Sequence, residues 1–405
     1  MKLKSCRKGY KEGTHRVVSP ADTLARIEPK LPVAGIERLT DITGLDRIGL
    51  PVFTCMRSAV EGGAVSVYKG KGTTAEEARV SAMMEAVERY SAEVKDRELL
   101  VASYSGLISA ENALNPEELI LPPYVKNVEE ISIPWVRGYD LIEAEEIYVP
   151  ACAVFHPLPP RYDRVRLFRT NTNGLASGNE LEEAIFHALA ELVERDAWSL
   201  VEITRNTGAV VQLKEKEDRL RKFMAKFSDA DILLLIRDIT SDLGIATFAA
   251  VSDDLRLKDA TLLTTGMGTH TDARVAIMRA LTEVAQSRLT QIYIDIAKND
   301  TTITDMRRIM GYEWMRKKNK HWFDNSVHTE FERVQSRDSD NFLDDINYTV
   351  EQIRKVGLER VIVVDLTRAE IGVPVVRVIV PGLEVYTVDA ERIGERCRKA
   401  RSDSR

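Results

Sequence analysis

The chain has 405 residues, of which 44% are hydrophobic and 30% are charged, and its formal net charge is −6. This composition provides for a large buried core and excludes a disordered chain, a collagen-like repeat and a small disulfide scaffold. The acidic balance argues against a broad nucleic-acid-binding surface. No apolar run approaches the roughly 18 residues that a membrane-spanning helix needs, so we expect no membrane contact.

The four cysteines and the first residues bear on the cellular compartment. The cysteines are widely separated and form no CxxC pair, so neither a zinc site nor a redox dithiol is expected. Free thiols suit a reducing compartment. The first residues, MKLKSCRKGYKEGTHR, are basic but lead into no apolar segment, so they do not form a signal peptide. We therefore predict a cytoplasmic protein.

In chain order, the main feature is an internal repeat of strand, glycine loop and helix. The first copy has an apolar strand at 64–68. In the second copy the glycine and the glutamates lie 106 residues after those of the first, and the strand is at 165–168. A third copy has its strand at 260–264 and its loop and helix at 266–288, with two extra residues between glycine and glutamate. Glycine loops are followed by helix-start signals, such as Asn179 as N-cap of the second helix.

The C-terminal part of the chain adds two continuous apolar strands, at 361–366 and 375–380, whose two faces must both be buried. Alternating helices and strands predict a mixed α/β (α+β) fold. We expect one catalytic domain over 1–390 with a polar surface excursion at 300–345. The segment 391–405 is rich in Arg and Lys and is expected to be a solvated tail.

Two pairs of glutamates on the repeated helices are candidate metal ligands. Glu85 and Glu88 lie three residues apart and share one helix face, and Glu191 and Glu194 repeat this spacing. Their neighbours are apolar, so the helices should be buried, and buried carboxylates need partners. An all-oxygen ligand set favours magnesium over zinc, and protein-bound magnesium commonly accompanies substrate phosphates.

The glycine loops and nearby cations extend this site to phosphate groups. Backbone N–H groups at helix N-termini suit phosphate oxygens, and Lys71, Arg195 and Arg279 could neutralise a polyphosphate. Alternatively, Arg89 and Arg195 serve only as counter-ions to neighbouring glutamates, and His187 is expected to be structural. A P-loop, a GxGxxG fingerprint, and the HExxH, GxSxG and kinase motifs do not occur. The residues predict a helix-built nucleotide site with bridging magnesium.

Taken together and in this order, several motifs resemble the YcaO family. They are Gly70-Lys71-Gly72, SAMMEAVER (81–89), GLASGNELEEA (174–184), ALAELVERDA (188–197), RALTEVAQSR (279–288), and the shorter GTHRVVSPADTL (13–24), DITGLDRIGLPV (41–52) and VPGLE (380–384). The resemblance spans nearly the whole chain. It implies a YcaO-type fold with helices packed on β-sheets around a central nucleotide site. It also implies ATP and Mg²⁺ as cofactors and a ligase-like activation of a peptide amide by phosphorylation of its carbonyl oxygen.

The resemblance assigns expected roles to single residues. The positions that match the magnesium-binding glutamates are Glu85, Glu88, Glu191 and Glu194. Those that match nucleotide contacts are Arg16, Thr23, Asn179, Glu180, Glu183, Arg195, Arg279 and Glu283, and Lys71 completes the expected ATP site. Ala176 stands where some members carry a serine that contacts ATP. No residue resembles a covalent nucleophile.

The C-terminal sequence bears on the subfamily. It reads RKARSDSR and lacks the PxPxP tail usual in azoline-forming members. The chain is similar to the compact archaeal type found with a TfuA-type partner, whose relatives thioamidate a glycine in the α subunit of methyl-coenzyme M reductase. We therefore expect thioamidation with sulfide as donor, a TfuA-type partner and a homodimer. Azoline formation by a cyclodehydratase acting on Cys, Ser or Thr, and a non-catalytic ATP-binding accessory role, are the alternatives.

Overall fold

The computed structural model describes residues 1–58, 66–297 and 306–403. Over these residues the chain forms eleven α-helices and fourteen β-strands. The helices are α1 (Pro20–Ile27), α2 (Ala75–Ser91), α3 (Tyr104–Leu107), α4 (Leu181–Thr204), α5 (Asp218–Ser228), α6 (Ala273–Ala297), α7 (Met306–Met310), α8 (Tyr312–Lys318), α9 (Lys320–Phe323), α10 (Phe342–Lys355) and α11 (Glu395–Asp403). The strands are β1 (Ile36–Asp41), β2 (Val52–Arg57), β3 (Ser66–Lys71), β4 (Leu100–Ala102), β5 (Ile133–Asp140), β6 (Glu145–Pro150), β7 (Leu175–Ser177), β8 (Val210–Gln212), β9 (Ile232–Asp238), β10 (Thr247–Asp254), β11 (Thr264–Thr269), β12 (His328–Glu330), β13 (Ile362–Asp365) and β14 (Val375–Ile379).

The described strands form three sheets. A three-stranded sheet has the order β1-β2-β3, and a five-stranded sheet has the order β11-β10-β9-β8-β12. The third sheet has the order β4-β5-β13-β14-β7, with β6 paired to β5. The mixed α/β class predicted from the sequence is confirmed. None of the helices in the described parts of the chain is both long and apolar enough to cross a membrane.

The two apolar C-terminal strands, β13 and β14, are neighbours in the third sheet, with Ile362 opposite Ile379. Successive side chains point to opposite faces of a strand. Val363 and Val376 therefore pack in the core that includes α4, while Ile362 belongs to the core that includes Trp135 and α2. The prediction that both faces of these strands are buried is confirmed.

The three repeat units correspond without any insertion. Helices α2, α4 and α6 begin at positions 75, 181 and 273, and β3 and β11 begin at 66 and 264, so shifts of 106 and 198 relate the units. The second shift places Gly70 on Gly268 and Glu85 on Glu283. The predicted two extra residues in the third unit are wrong, because Gly268 lies inside a strand and is not the loop glycine.

The strand glycines allow each strand to lie directly on its own helix. A Cβ at Gly70 would lie 2.0 Å from the backbone nitrogen of Ala82, and one at Gly268 would lie 2.5 Å from that of Ala280. Only glycine permits such an approach without moving the backbone. These two glycines therefore serve strand–helix packing, which differs from the phosphate-binding loops expected from the sequence.

Two of the predicted repeat strands are displaced. Residues 165–168 form no strand, although Leu167 and Phe168 are buried, and the strand of the second unit is β7. In the third unit, a 3₁₀ turn at Ala260–Leu262 precedes β11. Apolar side chains at these places pack into the core from irregular backbone, so hydrophobicity alone did not identify a strand. In the first unit, positions 64 and 65 lie outside the described residues.

The segment predicted as a surface excursion contributes to the core. Within 306–345, β12 pairs in parallel with β8, and Trp322 and Phe323 are buried. The apolar side chains of Met306 and Ile309 on α7 are exposed. Residues 300–305 lie outside the described residues. The segment is therefore partly a surface excursion, since most of 324–340 is exposed, and it reaches the core through a few aromatic side chains and β12.

The basic C-terminal segment is a docked helix rather than a solvated tail. Helix α11 packs on α4, and the Arg396 guanidinium donates to both carboxylate oxygens of Asp196, at 2.9 and 2.8 Å. Glu384 accepts hydrogen bonds from the backbone N–H groups of Gly394 and Cys397, each at 2.8 Å. Arg396 and two backbone N–H groups of this segment thus satisfy buried carboxylates, which the count of charges alone did not reveal.

Candidate active site

A cavity of about 390 Å³ lies where the three repeat units meet the N-terminal segment. Its walls come from α2, α4 and α6, from β3 and β7, and from residues 13–23. Twelve of the thirteen predicted site residues line it: Arg16, Thr23, Lys71, Glu85, Glu88, Asn179, Glu183, Glu191, Glu194, Arg195, Arg279 and Glu283. The exception is Glu180, which caps α4 and pairs with Lys4 at 3.0 Å on the surface.

The unit symmetry explains why these side chains converge. Each helix presents two polar positions three residues apart, which on α2 and α6 begin about one turn after the contact with the strand glycine. The three equivalent pairs are Glu85 with Glu88, Glu191 with Glu194, and Glu283 with Gln286.

Glu85 is already neutralised by its surroundings. Arg89 donates to it at 3.2 Å, and the backbone N–H of Lys69 donates to its other oxygen at 3.3 Å. The amide of Gln286 donates to the carbonyl oxygen of Lys69 at 2.7 Å, which links β3 to α6. Glu85 thus accepts one hydrogen bond at each of its two carboxylate oxygens.

Glu88 is held by the strand of the second unit. Ser177 donates to one of its oxygens from its backbone N–H at 2.9 Å and from its hydroxyl at 2.7 Å. Burial outweighs these hydrogen bonds and raises the pKa of Glu88 to about 7. Ser177 was not predicted as a site residue, because a serine before a glycine carries no signal in the sequence.

Glu191 and Glu194 provide the least compensated charge. Glu194 is almost completely buried, and its Oε2 has no hydrogen-bond partner among the described residues. Arg195 lies 3.7 Å from Glu194 and 4.0 Å from Glu191, too far for short hydrogen bonds. Burial, together with the charge of Glu283, raises the pKa of Glu194 to about 7, and burial raises that of Glu191. A bound cation would relieve both carboxylates.

Opposite charges lie close to this acidic pair. Lys71 forms an ion pair with Glu283, whose other oxygen accepts from the backbone N–H of Met267 at 3.3 Å. Although burial opposes it, Lys71 and then Arg195 lower the pKa of Glu283. The Nε of Arg279 is buried and has no hydrogen-bond partner in the described part of the chain. Arg279 is therefore a donor in the cavity wall that an anion could satisfy.

The N-terminal segment closes one side of the cavity. Thr23 donates to the side-chain oxygen of Asn179 at 3.0 Å, and Asn179 donates to Glu183 at 3.2 Å. The backbone N–H of Val17 donates to Glu183 at 2.9 Å, and Arg16 lies 3.8 Å from it. Both Glu183 oxygens are therefore occupied, so this carboxylate fastens the N-terminal segment to α4 in the absence of ligand.

His187 is buried beside Arg16, and burial together with that arginine holds its pKa well below the usual value. A neutral, packed histidine agrees with the structural role that the sequence suggested. Asn179 itself does not cap α4, because Glu180 occupies the N-cap position. The Asn179 side chain instead points to Thr23 and Arg26, with the latter donating at 2.8 Å.

The donor set fits magnesium with phosphate. Among the described residues, the group of three potential ligands within 4.8 Å of one another is His15, Asp272 and Asp338, outside the cavity, so the glutamates do not form a compact cage. Magnesium is typically held by one or two carboxylates with phosphate oxygens and water completing its shell. The unpartnered Oε2 of Glu194 and Nε of Arg279 suit a cation and an anion respectively.

The geometry defines a nucleotide- and magnesium-binding type of site, and the comparisons identify the family. The family model described as YcaO cyclodehydratase, ATP- and Mg²⁺-binding, matches residues 69–384. A protein of Methanothermobacter thermautotrophicus without an assigned function is 47% identical over 387 residues, covering 95% of this chain and 99% of its own. The protein in the tfuA 3′ region of Rhizobium leguminosarum bv. trifolii is 32% identical, covering 95% and 92%.

A solved structure supports the same conclusion. YcaO from Methanopyrus kandleri, bound with AMPPCP and Mg²⁺, superimposes with a TM-score of 0.78 at 28% identity, covering 96% of this chain and 98% of that one. The chain belongs to the YcaO family of ATP-dependent peptide-modifying enzymes. The family resemblance stated from the sequence motifs is confirmed.

Proposed function

We propose that this protein uses ATP and Mg²⁺ to activate a peptide backbone amide by O-phosphorylation and that it thioamidates a glycine of the methyl-coenzyme M reductase α subunit with sulfide. One observation carries the ATP-dependent part of the proposal. Buried, incompletely neutralised carboxylates at Glu191 and Glu194 share a cavity with the Nε of Arg279, which has no hydrogen-bond partner in the part of the chain that the structure describes. That combination matches a magnesium–polyphosphate ligand, which brings both charges.

In this proposal, Glu88, Glu191 and Glu194 hold magnesium, which neutralises phosphate charge when bound. Glu85, already paired with Arg89, supports the wall next to them. Lys71 exchanges its contact with Glu283 for a phosphate oxygen.

The remaining predicted nucleotide residues act around this centre. Arg195 and Arg279 donate to phosphate oxygens, while Thr23 and Asn179 hold the N-terminal segment over the nucleotide.

The proposed reaction needs no covalent enzyme intermediate. Hydrosulfide adds through sulfur to the amide carbon, and the amide oxygen becomes an oxyanion. This oxygen takes the γ-phosphoryl group of ATP, which leaves ADP. The C–O bond then breaks, phosphate departs with the former amide oxygen, the sulfur proton is released, and a C=S bond remains. The four cysteines are buried and lie outside the cavity lining, so none is placed to act as nucleophile.

Two observations support the choice of substrate and partner. The relative with 47% identity comes from a methanogen, an organism in which methyl-coenzyme M reductase would be available. The rhizobial relative is named for its position beside tfuA, which supports a TfuA-type partner as sulfur-delivering helper. A homodimer is part of the same proposal.

Azoline formation is the second candidate, since the matching family model is described as a cyclodehydratase. The two reactions share the ATP site and differ in the nucleophile, which is an external sulfide in one case and a Cys, Ser or Thr side chain in the other. The described cavity residues do not distinguish them, so the mass of the product must.

The test is the intact mass of a glycine-containing peptide from the reductase α subunit after incubation with the protein, ATP, Mg²⁺ and sulfide, with and without a TfuA-type protein. Exchange of oxygen for sulfur adds about 16 mass units, whereas azoline formation on a Cys- or Ser-containing peptide removes about 18. The Glu191→Gln variant serves as the inactive control, because it removes a proposed magnesium ligand. Unchanged peptide mass in every mixture, with ATP still bound, would contradict catalysis and favour an accessory protein.

A further inference from the structure

A second cavity, of about 500 Å³, adjoins the candidate active site. The two cavities share Glu85, Arg89 and Thr172 as lining residues, so these side chains form a common wall. The second cavity is otherwise lined by β3, by the residues around His156 and by residues 169–172. None of the predicted nucleotide residues lines it. It is therefore a separate cavity on the other side of that wall.

Most charges of the second cavity are internally balanced. Arg57 donates to Glu93 at 2.7 Å, and Arg89 donates to Glu85 at 3.2 Å. A polyphosphate would meet both glutamates here, so this cavity suits the nucleotide poorly. The hydroxyl group of Tyr68 and other polar side chains offer donors and acceptors together, which suits a peptide backbone with its own N–H and C=O groups.

One cation of this lining is different from the others. Arg169 is exposed and forms no ion pair with any described residue. The nearby His156 bonds to Thr170 at 3.0 Å, and burial, followed by the charge of Arg89, lowers its pKa, so it adds no positive charge at neutral pH. Within the described ranges, Arg169 is thus the uncompensated charge at the mouth of this cavity.

We propose that the second cavity receives the peptide segment that contains the reacting amide, and that Arg169 selects segments with a carboxylate side chain near that amide. This inference rests on the proposed function, because it assumes that the active site acts on a peptide. The Glu85–Arg89 wall then separates the peptide from the nucleotide except at the point of reaction. A guanidinium is well suited to bind a carboxylate with two hydrogen bonds.

Binding tests this without requiring turnover. Fluorescent ten-residue peptides carry a central glycine and a Glu, Gln or Lys one or two residues before or after it. Their Kd values are measured by fluorescence anisotropy with the full-length protein saturated with AMPPCP and Mg²⁺. In at least one position, the Glu peptide is expected to bind about three- to tenfold more tightly than its Gln counterpart, as for a partly exposed charge pair.

The charge-reversal variant Arg169→Glu should invert this order, so that the Lys peptide binds best. Arg164→Glu is the matched control, because Arg164 is exposed and lines neither cavity. It should keep the wild-type order. Equal binding of Glu and Gln peptides to the wild type at every position, or an unchanged order in Arg169→Glu, would overturn the proposal.

The outcomes separate this inference from the proposed function. Charge-selective binding that depends on Arg169, without any mass change, would leave the peptide site standing and contradict thioamidation. Thioamide formation, together with peptide binding that does not depend on Arg169, would support the proposed function and overturn this inference.

Discussion

Glu194 offers the sharpest test of the candidate metal site, because its substitution has opposite effects with and without ligand. Its side chain is buried, its Oε2 lacks a partner among the described residues, and its pKa is raised from 4.5 to about 7. At about 1.4 kcal/mol per pKa unit, keeping this carboxylate ionised costs the unliganded fold roughly 3 kcal/mol at alkaline pH. Glu194→Gln removes the charge and keeps the shape.

The pH dependence follows from the direction of the shift. An acid with a raised folded-state pKa contributes most stability below its unfolded pKa of 4.5, and this is lost as the pH rises to about 7. At pH 8 with EDTA, Glu194→Gln should therefore unfold at a higher temperature than the wild type, by roughly 3–4 °C for a chain of this size. At pH 5 the difference should be small.

Bound Mg²⁺ and AMPPCP should reverse the order of the unfolding temperatures of the wild type and Glu194→Gln. Mg²⁺ with AMPPCP should raise the unfolding temperature of the wild type through preferential binding to the folded state, and should raise that of Glu194→Gln much less. Differential scanning fluorimetry across pH 5–8.5 measures both effects. The control is Glu351→Gln, an exposed glutamate on α10 that pairs with Lys355, which should change stability by less than about 1 kcal/mol. If Glu194→Gln is less stable than the wild type at pH 8 without ligand, the reasoning is refuted.

Two further predictions concern the scaffold. Gly268→Ala should lower the free energy of unfolding by about 3 kcal/mol or more in urea titrations, because the added Cβ would lie 2.1 Å from the carbonyl oxygen of Ala276. Gly44→Ala, whose Cβ would meet nothing within 4 Å, is its control and should change little. Arg396→Ala should cost about 3 kcal/mol, because it leaves the buried carboxylate of Asp196 without its bidentate partner. An Arg396→Ala protein as stable as the wild type would show that α11 is not anchored by this pair.

The repeat was readable from the sequence because its acidic pairs recur at a fixed helical spacing, and spacing is preserved when a unit is copied. This spacing identified Glu88 and Glu194 as equivalent positions, and both line the same cavity. Their partners could not be found in this way. Ser177 reaches Glu88 from another unit, and Gln286 reaches Lys69 across a separation of 217 residues. Such contacts depend on how the units pack, and no local pattern encodes that.

The errors have one common origin, which is that composition does not report backbone pairing. Leu167 and Phe168 are buried apolar residues, yet residues 165–168 join no sheet. In the segment 395–403, Arg396 pairs with Asp196 of α4 and with Asp242, yet charge alone predicted a solvated tail. In both cases the sequence showed the chemical character of the side chains but not which residues they contact.

The third repeat unit shows how the site limits its own charge. Where the first two units carry Glu88 and Glu194, the third carries Gln286, whose amide donates to the carbonyl oxygen of Lys69 at 2.7 Å. A carboxylate there would face that carbonyl oxygen as acceptor against acceptor and would add a further negative charge to the cavity that holds Glu194. The amide instead joins α6 to β3, whose Lys69 N–H in turn donates to Glu85. Because of this break in symmetry, the pair on α6 has a single carboxylate, Glu283, where the pairs on α2 and α4 have two, and its second member ties α6 to β3.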